Sequence, residues 1–250
     1  MSQAIFEFPL NEKVRTYLRL EQLFKQLVHA NSATEDWQFI NFFSSLFTLL
    51  DLLERLDLRN DVLKDIELHE KNLVIWSQHP NIDNDALQRS LQKILRLRES
   101  LKGSKKIGAD LKDDRFLASI RQRFSIPGGT CSFDLPNLHY WLQQSSQQKL
   151  QDVQNWMLEL TPIKEAIEIT LSFLRERGRF VSHQAEKGFY QGVAEDKNEL
   201  IRVISATDQG YYPMLSGNKY RYAIRFTLFT PNLQGGSGVD SVVAFKLACC

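Results

Sequence analysis

Apolar residues recur every three or four positions from Glu12 to Glu176, then alternate with polar ones after Gly178. The first pattern predicts helices and the second strands. Residues 5–8 read as a short strand, and Asn11 as the N-cap of a helix from Glu12 to about Val28. Its buried side carries Val14, Tyr17, Leu18, Phe24, Leu27 and Val28. Ser32 or Thr34 opens a second helix with the stripe Trp37, Ile40, Phe43, Phe47, Leu50 and Leu53 or Glu54. Its apolar load exceeds one face, which predicts a central helix. A third helix covers 61–77 (Val62, Ile66, Leu73, Trp76) and stops at His79-Pro80. Asp83 caps a fourth, with Leu87, Leu91, Ile94, Leu95 and Leu101 inward. Beyond a basic linker between Gly103 and Gly108, residues 111–124 are helical as far as Ile126-Pro127-Gly128-Gly129. Short helices follow near 138–142 and 147–158, and a last one runs from Thr161-Pro162 to Glu176, with Pro162 in its first turn.

From Arg179 onward, period-two stretches at 179–183, 200–205, 220–229 and 239–247 predict strands, and Asn232 to Gly238 a hairpin between the last two. The fold class is α+β. A helical body at 9–177 carries a small C-terminal antiparallel sheet at 178–250, with residues 1–8 pairing with that sheet.

Composition narrows the function. Thirty-one basic and thirty acidic residues leave a net charge of +1, so no global field recruits nucleic acid or membrane. No apolar run reaches the ~20 residues of a membrane span, and the first residues read as neither signal peptide nor lipidation motif. Three cysteines (Cys131, Cys249, Cys250) make no disulfide framework and no zinc spacing, which predicts a soluble cytoplasmic protein. Gly235 to Gly238 is followed by a strand rather than a helix N-terminus, so it is no phosphate loop. Cys131 with His139 lacks any hydrolase signature, and His69, His79 and His183 stand singly. No enzyme, cofactor or metal site is expected.

Charge distribution is more informative. Between Asp51 and Glu70 seven acidic residues face three basic; between Arg96 and Arg123 nine basic face four acidic. This sorting predicts either opposite partner-facing surfaces or ordinary solvated helix faces. Read alone, segment 96–123 would also suit a nucleic-acid-binding module, the alternative function. Arg15 and Arg19 lie one helical turn apart, so either Glu12 compensates them or they await an anion. Arg221 and Arg225 lie on one face of a strand with the small Ala223 between them.

The stretches FEFPLNEKVRTYLRLE (6–21), RQRFSIPGGTCSFDLPNLHYWL (121–142), GFYQ (188–191), YPMLSGNKYRYAIRF (212–226) and FKLACC (245–250) together resemble the ZapD family of bacterial cell-division proteins. The order of IPGG, FDLP and LH-W in the central block has no generic structural reason. The resemblance implies a non-enzymatic cytoplasmic homodimer. It would bind the C-terminal tail of FtsZ, the tubulin-like division GTPase, in a basic pocket and bundle its filaments at the midcell ring. Carried onto this chain, the tail-binding positions are Arg15, Arg19, Arg115, Arg121, His139, Arg221 and Arg225. Tyr17, Leu18 and Trp141 are the expected apolar shelf beside them.

Overall fold

The computed structural model describes residues 2–55, 58–77, 83–103, 106–229 and 237–250. They form eight α-helices and seven strands in an α+β arrangement. The chain divides into two compact units, residues 1–18 with 171–250 and residues 19–170. The division falls inside α1 (Glu12–Val28) and inside α8 (Ser146–Arg177).

The second unit is built on α2 (Asp36–Arg55), whose buried side chains are Phe39, Phe42, Phe43, Leu46, Phe47, Leu49, Leu50 and Leu53. Phe43 is the hub. Its ring meets Phe42, Phe47, Phe116, Phe124, Trp141 and Trp156 at centroid separations of 5.1–6.3 Å, mostly edge to face. Aromatic pairs in that geometry add to simple area burial. Trp37, expected on this stripe, is exposed, because the buried side centres on Phe39, Leu46 and Leu50 and Trp37 lies on the opposite side of the helix. Val28 and Trp76, also expected inward, are exposed as well.

The remaining helices of this unit start where capping chemistry allows. α3 (Leu58–Trp76) and α4 (Asn84–Leu101) pack against each other, and the expected helix stop at His79-Pro80 lies outside the described residues. The Asp83 carboxylate accepts from the amides of Asp85 and Ala86, as expected of its N-cap. The single helix expected over 111–124 is instead two, α5 (Ala109–Asp113) and α6 (Arg115–Arg121), followed by a 3₁₀ turn at Arg123–Ser125. The break is Asp114, which turns extended, accepts from the Leu117 amide and takes the Trp156 indole N–H at 3.4 Å. α7 spans Pro136–Leu142.

α8 is continuous, where two helices were expected. Pro162 sits in its interior and leaves the Leu158 carbonyl without its i+4 donor. Leu158 is exposed, within reach of water, while Leu160, Ile163, Ala166 and Ile167 bury the opposite side. Packing along that buried side carries the helix through the proline.

In the first unit the strands form two antiparallel sheets rather than one. β1 (Gln3–Pro9), β4 (Leu200–Ala206), β7 (Val243–Cys249) and β2 (Val181–Ala185) lie in the order β1-β4-β7-β2. β3 (Phe189–Val193), β6 (Arg221–Leu228) and β5 (Tyr211–Gly217) lie in the order β3-β6-β5. Their apolar faces share one core of Val203, Val243, Phe245, Leu247, Tyr222, Ile224 and Phe226, lined further by Phe6, Phe8 and Tyr190. β3 and β5 escape a period-two reading because one contains a glycine and the other a proline. The expected hairpin between the last two strands is not formed as such. Ser237 and Val239 bond back to Leu228 and Phe226, and the chain then passes to β7 in the other sheet. Residues 232–236 of that connection lie outside the described residues.

Outside this core, the Glu7 carboxylate accepts from Arg175 at 2.8 and 2.9 Å and from Arg202 at 2.9 Å. The Asn11 side chain accepts from the Val14 amide at 2.8 Å, the expected N-cap of α1. Phe43→Ala should cost about 3–5 kcal/mol in urea unfolding, the range for emptying a buried aromatic site. A loss below about 1 kcal/mol would show that the aromatic hub does not hold the helical unit together.

Candidate functional site

From Arg221 to Phe226 strand β6 alternates outward-facing and buried side chains, a pattern that ends at Thr227, which is buried. Tyr222, Ile224 and Phe226 are buried in the core, so Arg221, Ala223 and Arg225 face outward. A close approach fixes this arrangement. Gly192 pairs with Tyr222, and a Cβ on Gly192 would lie 2.3 Å from the tyrosine ring and its oxygen. Only glycine leaves room for the ring there. The Tyr222 hydroxyl reaches the Cys249 sulfur at 3.5 Å. Burial, with that thiol alongside, holds the phenol protonated well above the ordinary range.

The outward side of the β3-β6-β5 sheet can be read row by row from the pairing. Phe189, Arg225 and Met214 form one row, Gln191, Ala223 and Ser216 the next, and Val193 stands opposite Arg221. Val193 is 82% exposed, Met214 55% and Phe189 42%. Large apolar side chains gathered on an exposed sheet face mark interaction surfaces more often than isolated ones do. The Arg225 guanidinium lies 5.7 Å from the Phe189 ring centroid, a cation–π contact that steadies its plane. Asn218 accepts from the amides of Tyr220 and Arg221 at 2.9 and 3.2 Å, fixing the chain's entry into β6. Neither Arg221 nor Arg225 has a carboxylate partner among the described residues.

The other sequence-predicted cations have different surroundings. Arg15 is paired with Glu12 at 3.1 Å and lies 5.7 Å from the Phe8 ring, so Glu12 does compensate the first of the two helix arginines. Arg19, one turn on, is exposed with no carboxylate partner among the described residues. Arg115 is likewise exposed and unpaired among them, in the first turn of α6. Arg121 is engaged internally, pairing with Asp51 and standing 3.8 Å from Glu54.

His139 is exposed on α7. Asn137 donates to the Ser119 hydroxyl at 2.7 Å, and the Phe116 and Trp141 rings meet at 5.9 Å, so α6 and α7 run antiparallel along this seam. Arg115 shares the Ser119 face of its helix. His139 lies about 200° round α7 from Asn137, on the other flank. The structure therefore does not stack these two on one seam.

Two expectations are corrected. Tyr17 and Trp141 are buried and Leu18 is half-buried, so they form no shelf. The Trp141 indole donates to Asp152 at 2.9 Å, and its ring packs on Phe39 and Phe43. The exposed apolar residues beside arginine are instead Phe189, Val193 and Met214. They could have been noticed as apolar positions in β3 and β5 falling on the same side as the β6 arginines. The charge sorting along the chain is also answered internally. Glu70 pairs with Arg98 at 2.5 Å, Glu54 with Lys112 at 2.8 Å and Asp51 with Arg121. The acidic segment 51–70 and the basic segment 96–123 thus neutralise each other in part, leaving fewer cations free for nucleic acid.

Comparison with known proteins decides the family. The family model for ZapD, described as a cell division protein, matches residues 18–225. The chain belongs to the ZapD family. "Cell division protein ZapD" of Photobacterium profundum is 42% identical over 245 residues, 98% of both chains. Those of Vibrio cholerae and Aliivibrio fischeri are 40% identical over 250 residues and 39% over 245, covering 100% and 97% of their own length. These alignments span nearly all of this chain and of each relative. No described helix is long and apolar enough to cross a membrane. Among the described residues, no three His, Cys, Asp or Glu side chains gather as a metal site would require.

The Glu54 carboxyl is held below its ordinary range by a hydrogen bond from Lys112 and then by the Lys112 charge. A depressed carboxylate stabilises the fold above its unfolded value of ~4.3, and that contribution is lost as pH falls through the lower folded value. Lys112→Met should therefore melt below the parent at pH 7, with the gap closing on acidification below pH ~4. A gap unchanged at pH ~3 in paired thermal melts would contradict the assignment.

Proposed function

We propose that this protein is a non-enzymatic division factor that binds the C-terminal tail of FtsZ and, as a homodimer, cross-links FtsZ filaments at the midcell ring. The observation that carries the reading is the outward face of β6. There two arginines without carboxylate partners among the described residues flank a small residue beside exposed apolar side chains. Arginine suits a carboxylate because its planar fork offers two parallel hydrogen bonds, which lysine cannot match. Membership of a cell-division family points to a partner in the division machinery.

Arg19, Arg115 and His139 are the proposed tail-binding residues of the helical unit, as Arg221 and Arg225 are of the strand unit. Arg15 and Arg121 contribute only as far as the tail competes with Glu12 and Asp51. Docking a flexible tail costs ordering entropy, so each contact is weak. A two-fold dimer presents each contact twice and a filament presents many tails, so avidity supplies the strength. The reaction needs no chemistry beyond binding. The dimer works in the cytoplasm, where the filaments are.

Pelleting of polymerised FtsZ tests this directly. The protein should sediment with intact filaments and stay in solution with filaments lacking the tail. Arg19→Glu and Arg221→Glu should each cut co-sedimentation at least about tenfold, the scale of one lost charge-assisted pair, with circular dichroism and dimer mass unchanged. Bundling should also weaken between ~50 and ~300 mM salt. Pelleting that persists in both variants, or with tail-less filaments, would overturn the proposal.

A further inference from the structure

We infer that the outward face of the β3-β6-β5 sheet reads an extended acidic segment with two carboxylates four residues apart and an apolar residue midway between them. This rests on the tail-binding reading above and specifies what that site recognises. A strand advances ~3.4 Å per residue, so Arg221 and Arg225 stand ~13–14 Å apart along β6. An extended ligand laid along the strand has the same rise, and its side chains at i, i+2 and i+4 all point at the sheet. Carboxylates at i and i+4 then meet the two guanidinium groups in register. A helical ligand would bring such residues to ~6 Å and span only half the distance.

The middle of the face fits the same pattern. Ala223 is half-buried and carries only a methyl group, leaving a depression between the arginines. Gln191 and Ser216, its neighbours across the sheet, are exposed and offer an amide and a hydroxyl to a ligand backbone. An apolar residue at i+2 settles over Ala223. Phe189 and Met214 beside Arg225, and Val193 beside Arg221, would then exclude water from the ion pairs, which strengthens them. Phe189 has a second task, since its ring lies 5.7 Å from the Arg225 guanidinium and restrains it by a cation–π contact.

Fluorescence anisotropy on the full chain tests the register with labelled nine-residue peptides. One has Asp, Leu and Asp at positions 3, 5 and 7; the other has the same composition with the two Asp adjacent. The first should bind about tenfold tighter, since the permuted peptide can engage only one fork at a time. Arg221→Gln should reduce that advantage to less than about twofold. Ala223→Leu, an outward substitution, should abolish the preference for Leu over Ser at position 5 while leaving charge-driven binding in place. Equal binding of the two peptides, with FtsZ pelleting still tail-dependent, overturns this inference and leaves the proposed function standing. Failure of both the peptides and the FtsZ tail to bind overturns both. Dissociation of the dimer by Ala223→Leu in sedimentation would show that a second copy of the chain occupies this face, and also overturns the inference.

Discussion

The inward packing of Tyr222, Ile224 and Phe226 against Val203, Phe245 and Leu247 is the constraint on which the candidate site depends. Side chains on a strand alternate, so burying these three places Arg221, Ala223 and Arg225 outside with no further instruction. A one-residue slip of β6 would bury two arginines and expose an aromatic core, at a cost no surface contact could offset. Gly192 makes the register more specific still, because Tyr222 fits only where β3 carries no side chain. The proposed binding face is thus held in place by residues buried beneath it.

The helical unit shows the complementary strategy for charge. Its aromatic hub around Phe43 needs no polar help, yet the surrounding helices carry blocks of opposite sign. Those blocks meet as Arg98–Glu70, Lys112–Glu54 and Arg121–Asp51. Partly exposed pairs of this kind add modestly to stability, and they neutralise what would otherwise be a strong local field. The cations left without a carboxylate, Arg19 and Arg115 among them, are then the ones with charge to offer a partner. Selection between structural and available arginines is a matter of neighbours rather than residue type.

Much of this was legible in the linear pattern. Asn11 and Asp83 cap their helices as their side chains dictate, and the apolar density of α2 marks the centre of the helical unit. The spacing of Arg221, Ala223 and Arg225 is readable because a period of two has no ambiguity within one strand. What escaped depends on tertiary context. Pro162 reads as a helix start, but burial of Leu160, Ile163 and Ala166 carries α8 through it. Trp141 reads as a surface aromatic beside His139, yet the hub claims its ring. Phe189, Val193 and Met214 stand beside the arginines only because β3 and β5 flank β6, and cross-strand neighbours are invisible to a local period.

The central claim is that the outward face of β6 is where the FtsZ tail sits, and the methyl groups of Ala223 and Met214 report on it. Carbon-13 methyl spectra of the full chain should be recorded as a synthetic FtsZ tail peptide is added. The account predicts that both signals shift progressively and saturate together with the binding isotherm. Saturable binding of the peptide with both methyl signals stationary would contradict it.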